Sequence, residues 1–355
     1  MSAWIVAGRR TAVMPRGGAF ARLSLADMAA PVIAACLADA GIAADAVDEV
    51  IVANALGAGG NPARVVALAA GLPERVAGLS IDRQCAGGLD AVLLARALVE
   101  SGAAEVVVAG GVESYSRRPL RFRTDPDGGA AVAYDRPAFT PWPERDPDMD
   151  AAAAALAVRL GIGRAVQDDW AVESHRKALL AQMAEIVPVA GQVRDGFARV
   201  LRAAGRARVL CGTVTVANAA VAADAAAFVV VVSARRAAGL RILGGMTLGG
   251  RPEEPGLAPV AAIARVLGQA GLRPDQVAMA EVMEAYAVQA MGCVQGAGLD
   301  PARVNIGGGA LARGHPIGAS GAILAVRLVH QLRAGQGLAA IAAAGGIGTV
   351  MLVER

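Results

Sequence analysis

The chain contains an internal repeat, and that repeat restricts its fold more than any single motif. The stretch "APVIAACLADAGIAADAVDEV" begins at Ala30, and "APVAAIARVLGQAGLRPDQVAMAEV" begins at Ala258. Both carry Ala-Pro-Val, an apolar helix face, Ala-Gly plus an aliphatic residue, and then Asp-x-Val leading into a strand. A second match pairs "LDAVLLARALVESGAAEVVVAGG" with "GAILAVRLVHQLRAGQGLAAIAAAGG". Repeats of this length are too long for a solenoid. They imply two copies of one plan, packed face to face as layers of a common core.

Within each copy the plan alternates strand and helix. "AWIVAG", "VDEVIVANA", "AGLSID" and "AEVVVAGG" read as strands. "LADMAAPVIAACLADAG", "NPARVVALAAG" and "GGLDAVLLARALVESG" read as the helices between them. Several strands lack polar alternation, so the pattern predicts an α/β fold whose sheet is covered on both faces. Only 3% of residues are aromatic, which leaves alanine, valine and leucine to fill the core. The most membrane-like run, "VTVANAAVAADAAAFVVVVSA", is interrupted by Asn218 and Asp224 and ends in β-branched residues. It reads as a buried strand and not as a span.

Between the copies lies a region of different character. Pro119, Pro126, Pro137, Pro141, Pro143 and Pro147 crowd one stretch, and proline lacks the N–H that regular elements need. Two helices follow, at "MDAAAAALAVRLG" and "VQDDWAVESHRKALLAQM". The division is therefore residues 1–117 with 212–240 as the first half, 118–211 as an inserted loop domain that covers a site, and 241–355 as the second half.

Charge and cysteine usage narrow the function. A net charge of +3 gives no basis for a nucleic-acid or anionic-membrane partner. "MSAWIVAGRRTAV" has no apolar stretch long enough for a signal peptide. Cys36, Cys85, Cys211 and Cys293 are scattered with no CxxC pair, which suits reduced thiols in a cytoplasm and neither a disulfide framework nor a metal site.

Two stretches carry chemistry. "SIDRQCAGGLDAVLLARAL" puts Cys85 between a strand and a helix N-terminus, where free N–H groups and the helix dipole favour a thiolate. Gly87 and Gly88 let a substrate approach the backbone. "NIGGGALARGHPIGASGAILAVRLVHQL" puts His315 at the corresponding junction of the second copy, so the pair can converge where the halves meet. The GxGxxA spacing in "GGGALA" is not a dinucleotide site, because Gly314, His315 and Pro316 interrupt the helix that should start there. Cys36 and Cys293 read as core residues, Cys211 has no assigned role, and His175 and His330 read as solvated or structural. Five arginines crowd "VRDGFARVLRAAGRARV". Of these, Arg194, Arg199 and Arg202 are candidates for phosphate binding or for a solvated surface.

The chain resembles the thiolase family over almost its whole length. "IVAGRRTAVMPRGGAF", "CAGGLDAV", "AGGVESYS", "GGALARGHPIGASGA" and "GIGTVMLVER" carry the likeness. The resemblance implies two β-α-β-α-β-α-β-β halves in a five-layer α-β-α-β-α arrangement, a dimer or tetramer, and acyl-CoA thioesters as substrates with no permanently bound cofactor. It implies Cys85 as nucleophile and His315 as its base, with the Cys85 and terminal-turn N–H groups holding the oxyanion. An acyl-carrier thioester is an equivalent donor.

The departures from the family pattern are as informative. Its second catalytic cysteine, in a Cys-x-Gly motif, falls at Ala342, and the motif glycine is Ala344. Its Asn-Glu-Ala-Phe motif is "MEAY", so Met283 replaces a water-positioning asparagine while Glu284 survives. Met283 is expected to point into the same space as Cys85 and His315. The pantetheine-lining loop reads "ANAAV", with Ala217 and Ala220 as CoA contacts, and an expected histidine aligns with Asp148. The insert is shorter than usual. The resemblance thus implies an acyltransferase working through acyl-Cys85 with an impaired Claisen or thiolytic step. The alternatives are a thioester hydrolase and a non-catalytic ligand-binding or partner subunit.

Overall fold

The computed structural model describes every residue except Met1, Ala58 and Ala203. The first half runs β1 (Ala3–Arg10), α1 (Leu25–Ala40), β2 (Glu49–Ala53), α2 (Pro62–Ala69), β3 (Leu79–Ile81), α3 (Gly87–Ser101) and β4 (Val106–Glu113). The insert holds a hairpin, β5 (Arg121–Arg123) and β6 (Val132–Tyr134), and two helices, α4 (Met149–Leu160) and α5 (Arg164–Leu180). Strand β7 (Ala223–Ser233) completes the first half. The second half is β8 (Leu240–Gly249), α6 (Ala258–Gln269), β9 (Val277–Val282), α7 (Ala287–Gly296), α8 (Ile317–Gln331), β10 (Gln336–Ala343) and β11 (Ile347–Glu354).

The duplication is visible in the pairing. The first half orders its strands β1-β7-β4-β2-β3, and the second β8-β11-β10-β9. In each, the first two pairings are antiparallel and the rest parallel. Even an irregularity is repeated, between Ile5 and Ala7 in β1 and between Ile242 and Gly244 in β8. The fifth strand of the second half has shrunk to a single parallel bridge, Ala280 to Val304. The half-sheets join edge to edge only at Trp4–Arg241 and Ile5–Leu240.

Their main contact is through helices. α3 packs on β4, β7 and β2 of its own half and on β11 and β8 of the other, while α8 packs on β7, β4, β1, β10 and β9. These two helices form the middle layer, with α1 and α2 outside one half-sheet and α6 outside the other. They cross closely because the contact is glycine. A Cβ at Gly88 would lie 2.6 Å from the Ala322 nitrogen, and one at Gly321 would lie 2.4 Å from the Leu89 nitrogen. The apolar run around residue 230 is β7, buried along its entire length between helices on both faces. No helix among the described residues is long and apolar enough to cross a membrane.

The insert is fastened by buried charge. Arg10 on β1 is fully buried and holds Glu185 at 3.1 Å and Asp195 at 2.6 Å, both from the chain following α5. Arg327 on α8 reaches the same Glu185 at 2.5 Å. Burial pushes the Glu185 carboxyl up, but Arg10 and Arg327 outweigh it and hold the group near 2. A depressed carboxylate contributes stability above its unfolded value, and that stability is lost as pH falls through the folded one. Glu185→Gln should therefore cost about 3–5 kcal/mol in urea unfolding at neutral pH, because it leaves the buried Arg327 guanidinium without a carboxylate, while Arg10 keeps Asp195. The deficit should shrink as the pH is lowered from about 4.5 toward 2. Unchanged stability at neutral pH would show that the cluster does not fasten the insert.

Candidate active site

Cys85 sits in a tight turn, Gln84–Ala86, between β3 and α3. Gln84 takes a left-handed φ of 48°, and its N–H donates to Asp82 Oδ1 at 2.7 Å. His315 occupies the matching place before α8. Gly314, at φ 111°, turns the chain so that the His315 N–H donates to the Val221 carbonyl at 2.7 Å. Because α3 and α8 cross near their N-termini, the two junctions meet. His315 Nε2 lies 3.1 Å from Cys85 Sγ, and His315 Nδ1 lies 2.7 Å from Ser320 Oγ. For Nε2 to accept the thiol proton, Nδ1 must carry the ring hydrogen and donate it to Ser320.

The terminal turn forms another wall. It spans Ala344–Gly346 between β10 and β11, and Gly345 and Gly346 are left-handed, at φ 80° and 77°. The backbone N–H groups of Cys85 and Ala344 lie close enough to the Cys85 sulfur to oppose the effect of burial on the thiol. They are thus positioned for negative charge that develops beside it. The cavity above the pair measures about 460 Å³. Besides Cys85 and His315 it is lined by Ala342, Ala343 and Ala344, by Tyr115 and Ala220, and by the insert residues Phe139, Met149 and Leu156.

The electrostatics correct one expectation. Burial pushes the Cys85 thiol up to about 12, and the two N–H groups offset only part of this. Burial also lowers His315 to about 4. The resting pair is thiol and neutral imidazole, because desolvation outweighs the helix terminus.

Two further positions differ from the sequence reading. Met283 does not line the cavity. It is 2% exposed within the central core cluster against which Cys85 packs, as its apolar chain dictates. Glu284 is also buried, accepting from Trp170 Nε1 at 3.0 Å, Ser174 Oγ at 2.7 Å, Asn305 Nδ2 at 2.9 Å and the Leu311 N–H at 3.2 Å. It ties α5 of the insert to the second half and does not face the reacting atoms.

The remaining candidates have definite places. Ala217 is buried and only Ala220 of its loop lines the cavity. Asn218 holds that loop by donating to Asp168 Oδ1 at 2.9 Å. Asp148 caps α4 by accepting from the Asp150 N–H at 2.9 Å. Arg194, Arg199 and Arg202 lie outside the cavity lining. Buried His175 accepts from the Arg199 N–H at 3.2 Å, and His330 Nε2 meets the Gly8 carbonyl at 2.7 Å, so both are structural. Cys36 and Cys293 are buried in the core.

Three residues of the site escape sequence reading. Ser320 carries a readable signal, since it follows His315 by one turn of the next helix. Glu113 at the end of β4 accepts from Asn54 Nδ2 at 2.7 Å and from the N–H groups of Ala55, Leu56 and Gly318 at 2.9, 3.1 and 3.1 Å. It pins the loop after β2 to the start of α8, and burial, opposed by these donors, pushes it to about 7. Tyr115 follows two residues later and lines the cavity.

Known proteins resemble this chain over its whole length. Family models described as the thiolase N-terminal and C-terminal domains match residues 3–235 and 238–355. The putative acetyl-CoA C-acetyltransferase YhfS of Bacillus subtilis is 38% identical, covering 100% of this chain and 99% of its own. An acetyl-CoA acetyltransferase of Cupriavidus necator is also 38% identical, over 99% of this chain and 98% of its own. The crystal structure of the Acat5 thiolase from Ascaris suum in complex with coenzyme A superposes with a TM-score of 0.93 at 29% identity, covering 100% of both chains. Matches of this extent place the chain among the acyltransferases. It belongs to the thiolase family.

The neutral resting pair has a direct readout. Alkylation of Cys85 by iodoacetamide should keep rising by about tenfold per pH unit through pH 9 and beyond, because the thiolate fraction is still small there. A plateau at or below about pH 8.5, the ordinary thiol value, would mean that a thiolate already exists at rest.

Proposed function

We propose that the protein is a cytoplasmic acyltransferase that takes a short or medium acyl group from a coenzyme A thioester onto Cys85. The observation that carries this is the 3.1 Å approach of His315 Nε2 to the Cys85 sulfur, with the Cys85 and Ala344 N–H groups close by. His315 removes the thiol proton as the sulfur attacks the thioester carbonyl. The developing oxyanion lies between the two N–H donors, each worth about 3 kcal/mol in comparable sites. The carbon–sulfur bond to coenzyme A then breaks, and the departing thiolate takes the proton from His315. Acyl-Cys85 and free coenzyme A result. A homodimer or homotetramer is the assembly this reading carries.

Carbon–carbon bond formation needs one more group, a base at the α-carbon of a second thioester. Ala342 stands in the cavity where that base belongs and has no proton acceptor. His315 is committed to Cys85 and Ser320, and Glu284 is buried away from the cavity with four donors upon it. The first half-reaction therefore proceeds while Claisen condensation and thiolysis are impaired, by the 10²–10⁴-fold or so that a general base contributes.

Intact-mass analysis after incubation with a panel of acyl-CoAs should find one acyl adduct, mapped to Cys85 and absent from Cys36, Cys211 and Cys293. Absence of any adduct across the panel would remove the catalytic reading. In the same protein Ala342→Cys should raise acetoacetyl-CoA cleavage by coenzyme A. Cleavage by the unaltered protein at an ordinary turnover of about 1–10³ per second would overturn the claim of a missing base.

A further inference from the structure

The wall of the cavity opposite the insert helix is cationic, and acyl transfer as proposed so far does not use it. Tyr115, Arg118, Arg121 and Asp135 line the Cys85 cavity and also a second hollow of about 570 Å³ beside it. The second hollow lies under the β5–β6 hairpin and adds Arg16 and Tyr134 to its lining. The Cys85 space therefore has two arms of different character. The arm beneath α4 is lined by Met149, Ala152, Ala153 and Leu156, which suits a neutral pantetheine chain, and Arg159 at the end of that helix is neutralised by Glu254 at 2.7 Å. The other arm carries Arg118 and Arg121.

The charges on that second arm do not balance. Arg118 is paired with Asp135 at 2.6 Å, but the Asp135 side chain is 80% exposed, so the pair is weakly held. Arg121 is partly buried, and its guanidinium donates only to the Ala55 carbonyl, at 3.0 Å. Among the described residues neither Arg121 nor Arg16 has an acidic partner. The Tyr115 hydroxyl makes no hydrogen bond to any described residue, yet the ring is stacked by Arg118 at 5.8 Å. Two guanidinium groups and a free phenol on one wall form a donor set for a planar anion.

We infer that Arg121, Arg118 and Tyr115 bind a carboxylate at the far end of the acyl group, so that the preferred donor is the monothioester of a dicarboxylic acid. The inference rests on the acylation of Cys85 proposed above. Coenzyme A phosphates are the other possible source of an anion, and position argues against them. Tyr115 lines the cavity with Cys85 and His315, and it follows by two residues Glu113, which accepts from the Gly318 N–H just beyond His315 at 3.1 Å. The acyl group is bonded at that sulfur, whereas the phosphates sit at the remote end of the pantetheine arm. The transfer step is unchanged. The thioester carbon–sulfur bond breaks, the bond to Cys85 forms, and the distal carboxylate stays ionised.

The test compares acylation rates of Cys85 by intact mass, using N-acetylcysteamine thioesters that carry no phosphate. Succinyl and glutaryl thioesters are set against butyryl and pentanoyl thioesters, and the same acyl groups are then run as coenzyme A esters. The carboxylated donors should react about 10–100-fold faster, as a charged hydrogen bond allows. The preference should fall to within about twofold in Arg121→Met and be partly restored in Arg121→Lys, with thermal melts confirming that both variants fold. Equal rates for the two series overturn the subsite while leaving Cys85 acylation intact, and so does a preference that survives Arg121→Met. A loss in Arg121→Met that appears only with coenzyme A esters, whatever the acyl group, assigns the arginine to phosphate and also overturns it. Failure of every thioester to label Cys85 removes both the acylation reading and this one.

Discussion

The crossing of α3 and α8 is the contact on which the rest of this molecule depends. Each helix is the third of its half, and each begins directly after a chemically loaded turn. Gly88 and Gly321 let the backbones approach to a distance at which any side chain would collide with main-chain atoms. Close packing at this point does two things. It seals the two half-sheets around a shared middle layer, and it sets the Cys85 and His315 turns within hydrogen-bond reach. The site is thus a product of the duplication. Two equivalent junctions carry different residues, a cysteine in one and a histidine in the other, 3.1 Å apart.

Around this crossing, buried polar groups fix what apolar packing leaves loose. Glu113 joins the loop after β2 to the first turn of α8, and Glu284 joins α5 of the insert to the second half. Arg10, Glu185, Asp195 and Arg327 bind the chain after α5 to both halves. Each of these carboxylates is satisfied by several donors, so each fixes segments that are distant in sequence. The insert is held at its base while Pro137, Phe139 and the helix α4 roof the cavity. The Phe139 carbonyl lies against Gly345, where a Cβ would stand 3.0 Å from it, so the roof and the terminal turn form one surface.

Much of this was legible from local pattern. The repeat gave the paired halves, because a duplicated sequence must repeat its strand order. Cys85 and His315 stood out because each interrupts an element at a glycine-rich turn. What escaped was direction and solvation. Position in a motif located Met283 near the site but did not reveal that its side chain turns into the core. The helix terminus argued for a thiolate, but the desolvation that reverses the argument depends on chain segments far apart in sequence. Glu113 was invisible for the same reason, since its donors come from residues 54–56 and 318. The fifth strand of the second half survives as one bridge at Val304, too short for any periodicity to register.

The neutral resting pair and the alanine-lined turn belong together physically. A permanent thiolate and imidazolium would present strong charges to the cavity and stabilise the free enzyme. In the proposed acylation, a thiol beside a neutral imidazole instead separates charge only as the carbonyl is attacked, when the Cys85 and Ala344 N–H groups have an oxyanion to hold. The donors bind the transition state more than the ground state for that reason. Ala342, Ala343 and Ala344 add no competing titratable group to this balance, and their methyl groups leave the wall apolar. In the proposed reaction, alanine at position 342 therefore leaves acylation of Cys85 undisturbed, because the contribution of the turn to that step comes from its backbone and not from its side chains.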